Sequence, residues 1–354
     1  MDANVFSLRN FNVLEDDRYY YVYRALNNAD HDDFIHGTII SSGKIDRIRT
    51  DRERWLETHS QAKYNSDSHI SLEEMWNHIK MRYSKETNCI SLSSNANVSL
   101  DYGSGYHDEY AVVRVPKYEK SNIYSAGKYM LEEIDRITTE RLNASNIDSS
   151  LQNLTQRIFM ANNNEEVVDL VLTYQQSLQK DTGLSRNIAS RFQKKQYFND
   201  QQQLAYNKIV AKATILELSG VLPSILDSMP DNSSLLATIG NAFSSGEVIH
   251  YQDIPGSNVF PLSKQMMNLI AITQQLKELN NNADVEQLEK RLIYLINHHY
   301  DIRRVNGKVV FTNGQDIIDC NLNVDDTTIF GDYEVNDNLM SISEIYNITS
   351  GSIN

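Results

Sequence analysis

Proline and glycine are scarce in this chain, 5 and 14 among 354 residues. That scarcity excludes collagen-like and low-complexity architectures and favours helices over a turn-rich sandwich. Cysteine is scarcer still. Cys89 and Cys320 stand far apart, without CxxC or Cys/His spacing, which argues against a disulfide framework or a zinc site and suits a reducing compartment. Basic residues number 33 against 47 acidic ones, for a net charge of −14, and no dense Lys/Arg run occurs. The balance argues against a nucleic-acid backbone or an anionic membrane as the main partner. Long apolar runs are missing as well: the most apolar stretch, Ile215–Leu226, is interrupted by Glu217, Gly220 and Pro223 and is too short to span a bilayer. The opening MDANVFSLRN has neither the basic nor the apolar segment of a cleaved signal peptide. The expected location is the cytoplasm, or outside the cell by secretion without a cleaved signal. Nine histidines form no HExxH or comparable pattern, so no metal is expected.

What is present divides the chain. Hydrophobic residues make up 40% of it, and its length fits two domains of about 100–200 residues each. In residues 1–145, the runs Tyr19–Leu26, Cys89–Leu92, Tyr110–Val115 and Glu133–Ile137 are rich in Val, Ile or Tyr and read as strands. Leu72–Tyr83 reads as a helix with Leu72, Met75, Trp76 and Ile79 on one face. Pro116 closes the third strand, and residues 143–146 mark a boundary. Residues 146–304 read as a helical domain: Val167, Val168, Leu170, Val171 and Tyr174 keep helical spacing, as do Leu288, Leu292, Leu295 and Ile296. Polar breaks at Asp181–Gly183, Pro230–Ser233 and Tyr251–Ser257 separate the helices. In residues 305–354, Val305–Thr312 with Asn313-Gly314 reads as a hairpin arm. An Asp/Asn-rich tail follows and ends as a piece of a longer protein would.

Three segments carry chemistry. Tyr19–Leu26 is an apolar strand that ends on Arg24, and a guanidinium fixed there can clamp a diphosphate or ribose with its planar fork of donors. CISLSSNANVSLDYG, from Cys89 to Gly103, reads as a strand ending in Ser91 and Ser93, then a helix capped by Ser94, with Val98 and Tyr102 on a common face. LEEIDRITTERL, from Leu131 to Leu142, places Glu132 and Glu133 at the start of a short apolar strand. Each segment alone has a plain structural reading: an ion pair, a strand–cap–helix corner, a solvated acidic face.

In this order the three segments resemble the bacterial mono-ADP-ribosyltransferase toxins and effectors of the Arg–Ser–Glu type, over about Tyr19–Asn143. YVYRAL resembles the family's first-strand arginine motif, CISLSSNANVSLDYG its Ser-Thr-Ser strand and following helix, YAVVRVP the next core strand, and LEEIDRITTERL the catalytic-glutamate strand. The resemblance implies an α+β fold, a split β-sandwich with helices over residues 1–145, followed by the mainly helical domain. It implies cleavage of NAD⁺ as co-substrate, without a metal, and transfer of ADP-ribose to a macromolecular acceptor, expected to be a protein in a host or target cell. Glu133, or its neighbour Glu132, would stabilise the charge that develops on the ribose; Glu133 directly precedes a hydrophobic residue, Ile134, as the family's glutamate does. Ser91 would orient that glutamate, Arg24 would hold the phosphates or ribose, Ser93 would support the wall, and Tyr102 would stack near nicotinamide. The segment Pro116–Leu131, with Tyr118, Tyr124 and Tyr129, would face the acceptor.

The chain departs from the pattern at two positions. Leu92 stands where threonine is usual. Leu131 stands two residues before Glu133, where arginine-modifying members carry glutamate, which argues against arginine as the acceptor. Two alternatives share the fold: an NAD⁺ glycohydrolase with water as acceptor, and a non-catalytic binding protein. Ile35-His36-Gly37-Thr38 resembles the His-Gly motif of the diphtheria-toxin and poly-ADP-ribose polymerase branch, but that branch lacks the Ser-x-Ser strand.

Overall fold

The structure is a computed structural model. It describes residues 3–26, 38–39, 70–81, 89–103, 109–117, 123–144, 147–178, 188–226, 234–251, 254–279, 282–306 and 308–319. His36, Tyr118, Cys320, the breaks at 181–183 and 230–233, and the Asp/Asn-rich tail lie outside them. The fold is α+β, and the chain forms two compact units, both discontinuous in sequence.

The sheet-bearing unit comprises Leu8–Thr58, Asn88–Ile123 and Ser245–Asn354. Its strands are β1 (Leu14–Glu15), β2 (Tyr19–Ala25), β3 (Thr38–Ile39), β4 (Cys89–Ser93), β5 (Glu109–Pro116), β6 (Ile123–Ser125), β7 (Glu247–Tyr251), β8 (Ile254–Pro255), β9 (Val259–Ser263), β10 (Asp301–Val305), β11 (Lys308–Thr312) and β12 (Ile317–Asp319). The main sheet runs β6-β7-β4-β2-β5-β9, with β1 beside β2. In β6 the chain passes into the helical unit. Aromatic and β-branched residues fill the strands because both sheet faces are covered. Tyr21, Tyr23, Tyr110 and Val112 point into one core, shared with α2 (Ala96–Gly103), α9 (Lys264–Leu279) and α10 (Ala283–Asn297). Val22, Ile90, Leu92, Val113 and Val248 point into the other.

The helical unit comprises Met1–Ser7, His59–Thr87 and Tyr124–Ser244. It holds α1 (Leu72–Met81), α3 (Ala126–Leu142), α4 (Ser149–Met160), α5 (Asn164–Ser177), α6 (Ile188–Arg191), α7 (Asp200–Leu218) and α8 (Leu235–Ser244). Helix α7 is buried on nearly every side and packs against α3, α4 and α5. Its start is a capping box in which Asn199 and Gln202 satisfy each other's backbone N–H. Arg191 donates to Glu217 at 2.8 Å, with the two side chains 3% and 1% exposed. The second Glu217 oxygen accepts from the Ile225 and Leu226 amides at 2.8 and 3.0 Å, so one carboxylate closes the chain past α7.

Four expectations are corrected. Glu133–Ile137 is not a strand: it lies inside α3. Met130, Ile134, Thr138 and Leu142 recur every fourth residue and are buried, a helical period that a five-residue window conceals. The division at 145/146 is replaced by the two interleaved units, because α3 belongs with the helices that follow it. The helical domain expected over 146–304 contains β7, β8 and β9, short strands that pair with residues far earlier in the chain. The hairpin arm is a three-stranded meander: β10 pairs with β11, and β11 turns through Asn313-Gly314 to β12.

The Arg191–Glu217 pair yields a stability test. Glu217→Ala leaves a buried guanidinium and two amides without their acceptor, so urea unfolding should show a loss of about 3–5 kcal/mol. A loss below about 1 kcal/mol would place the ion pair among those worth little.

Candidate active site

Three neighbouring strands frame the site. β2 pairs antiparallel with β5 along its whole length, from Tyr19–Pro116 to Ala25–Tyr110. β4 pairs just as fully with β7, from Cys89–Tyr251 to Ser93–Glu247. Between β2 and β4 the registered pair is Tyr23–Ser93, at the last residue of β4. Arg24 follows that pair. It is partly exposed, and its Nη1 donates to the Ser91 carbonyl at 2.6 Å. The fold therefore brings Arg24 to Ser91, through the Ser91 main chain. By strand alternation, Arg24 shares the face of Val22 and Leu92, while Ser91 and Ser93 share the opposite one.

Ser93 works at a corner. Its hydroxyl donates to the Ser245 carbonyl at 2.8 Å and accepts from the Asn95 amide at 3.0 Å. Ser94, expected as a helix cap, instead turns to β7: its amide and hydroxyl both donate to the Gly246 carbonyl, at 2.8 and 3.1 Å. The residue that precedes α2 is Asn95, whose Oδ1 accepts from the Asn97 amide at 2.9 Å. Ser94 is diverted because β7 leaves a carbonyl beside it. Tyr102 is 50% exposed, so it is not a core residue of α2.

Glu132 and Glu133 belong to the helical unit, apart from the unit that holds Arg24 and Ser91. Glu133 is held by Arg136 through Nε at 2.9 Å and Nη2 at 2.8 Å, one helical turn away. Glu132 faces Lys128 at 3.6 Å; partial burial raises its carboxyl above the ordinary value against the pull of Lys128. Tyr129, which donates to the Ile70 carbonyl, has its phenol pushed up to about 12 by burial and by the Glu133 charge. Tyr124 packs on it, with ring centroids 5.1 Å apart. The segment expected as an acceptor-facing loop is thus, where it is described, the end of β5 with Lys117, then β6 and the start of α3. This acidic pair is the helix surface that adjacent glutamates most often form.

Sequence reasoning missed Glu247. It opens β7 and is followed by Val248, which makes it a glutamate before a hydrophobic strand residue. Its register partner is Ser93, so the two Cβ atoms stand about 5 Å apart on one face. The glutamate–hydrophobic pattern itself was legible, but the intervening helices hid that it belongs beside Ser-x-Ser. Gly246 adopts φ +58°, and a Cβ there would lie 2.4 Å from the Ser94 hydroxyl. Only glycine fits this turn without displacing the corner.

Comparison with known proteins finds no matching family model, curated protein or solved structure. Among the described residues no group of three or more His, Cys, Asp or Glu could hold a metal ion, and no helix is long and apolar enough to cross a membrane.

Gly246→Ala should lower stability by about 1–3 kcal/mol through left-handed backbone strain and the clash with Ser94. Thermal unfolding checks it, and an unchanged midpoint would mean that the corner yields at no cost.

Proposed function

We propose that this chain cleaves the nicotinamide–ribose bond of NAD⁺ and transfers ADP-ribose to a protein acceptor, with Glu247 as the catalytic carboxylate. The observation that carries the reading is the succession of β2, β4 and β7. These are adjacent hydrogen-bonded strands that bear Arg24, then Ser91 and Ser93, then Glu247, in chain order and within one compact unit. That is the Arg, Ser-x-Ser, Glu-hydrophobic order of the Arg–Ser–Glu transferases, with the glutamate moved from Glu133 to Glu247.

The chemistry asks little more of the protein. As the bond breaks, its electron pair leaves with nicotinamide, which departs neutral, and positive charge grows on the ribose as in glycoside hydrolysis. A fixed carboxylate stabilises that charge most where water is sparse. The acceptor nucleophile then bonds to the same ribose carbon and gives up its proton. In this assignment Ser91 and Ser93 line the face of Glu247, and Arg24, on the opposite face of the sheet, holds the Ser91 main chain in place. Two residues before Glu247 stands Ser245, not a second glutamate. The arginine-modifying pattern is absent at this position too, which directs the reading to another acceptor side chain.

Adenylate-labelled NAD⁺, incubated with the full chain and with bacterial and eukaryotic lysates, tests the assignment. Glu247→Gln should lower label transfer about 10²–10³-fold, the loss typical of a charge-stabilising group. Glu133→Gln should stay within about twofold, since it loses only a surface pair. A selective loss in Glu133→Gln would restore the helix glutamate. Free ADP-ribose without a labelled band would make the protein a glycohydrolase, and no NAD⁺ consumption in any lysate would make it a non-catalytic relative.

A further inference from the structure

The first residues of β7 are tied to the sheet through a corner that a distant side chain secures. Gln274 lies on α9 and is buried. Its Nε2 donates to the Ser94 carbonyl at 2.9 Å and to the Asn12 carbonyl at 3.4 Å, and its Oε1 accepts from the Ala96 amide at 2.8 Å. One amide therefore grips both sides of the turn between β4 and α2. That turn in turn grips the chain before Glu247: Ser93 holds the Ser245 carbonyl, and Ser94 holds the Gly246 carbonyl twice. The path from Gln274 to Glu247 is continuous: hydrogen bonds join α9 to Ser94 and Ser94 to Gly246, and the peptide chain carries it on to Glu247.

We infer that Gln274 is a positioning residue for Glu247, acting through Ser93, Ser94 and Gly246; this rests on the assignment of Glu247 as the catalytic carboxylate. The requirement is a side chain that donates and accepts at once. A glutamine does so at every pH. A glutamate does so only when protonated, and burial against a carbonyl raises its pKa. A methionine of similar length fills the space but makes neither bond. A plain packing role would be satisfied by methionine and would have no pH signature.

The full chain with Gln274→Met should lose about ten- to hundredfold in kcat for NAD⁺ cleavage, the scale of a small misplacement of a catalytic group. Its KM should stay within about threefold, because Gln274 does not touch substrate. Gln274→Glu should match that loss at about pH 8 and recover towards the parent at about pH 5.5, where the buried carboxyl is protonated. Amide hydrogen exchange supplies a readout without turnover: Gln274→Met should speed exchange at residues 94–96 and 245–248 and leave α10 unchanged. A loss confined to KM, a Gln274→Glu pH profile parallel to the parent's, or unaltered exchange at 245–248 in a protein that turns over NAD⁺ would each overturn the positioning role alone. Faster exchange there in Gln274→Met, with a parent chain that never consumes NAD⁺, would instead overturn the assignment of Glu247, and the role of Gln274 with it.

Discussion

The pairing of β4 with β7 is the constraint on which the site depends. It joins Ser93 to Ser245, 152 residues apart in the chain, and most of the intervening residues belong to the helical unit. Closing so long a loop costs little more than closing a short one, since each doubling of length adds about 0.6 kcal/mol. The inserted unit has buried packing of its own around α7. A large insertion can therefore stand between two strands that must meet. Without the β4–β7 ladder, no carboxylate would stand on a strand beside Ser91 and Ser93.

The ladder would not fix Glu247 by itself, because Glu247 is the first residue of its strand. The corner supplies the missing constraint. Gly246 turns the chain through the left-handed region, and the Ser94 hydroxyl occupies the space that any side chain at 246 would need. Buried polar groups of this kind are costly unless satisfied. Here the donors of Ser94 and the amide of Gln274 meet acceptors on three separate segments, and the small size of the residues lets these segments approach. Burial of both sheet faces adds stiffness, since a core packed to protein density does not follow a drifting strand.

Much of this was legible before any coordinates. The strands at Tyr19, Cys89 and Tyr110 are dense in aromatic and β-branched residues, and each forms where the pattern places it. The helix at Leu72 does as well. The segment around Glu133 was misread because Ile134 and Ile137 in a short window fit a strand as well as a helix. Its buried face becomes visible only when Met130 and Leu142 are counted with it. β7 was overlooked for the converse reason: five residues, Glu247–Tyr251, lie immediately after α8, inside a region whose periodicity is helical.

Local periodicity and residue type thus determined the strands at Tyr19, Cys89 and Tyr110, the helices at Leu72, Val167 and Leu288, and the presence of an arginine strand followed by a Ser-x-Ser strand. They did so because side-chain spacing against a core is a property of a dozen consecutive residues. Which glutamate stands beside those serines was decided by tertiary structure alone. Register between strands is set by contacts across the whole fold, and Glu133 and Glu247 both precede an apolar residue. Only the ladder that pairs Ser93 with Glu247, and the helix that holds Glu133, separate them.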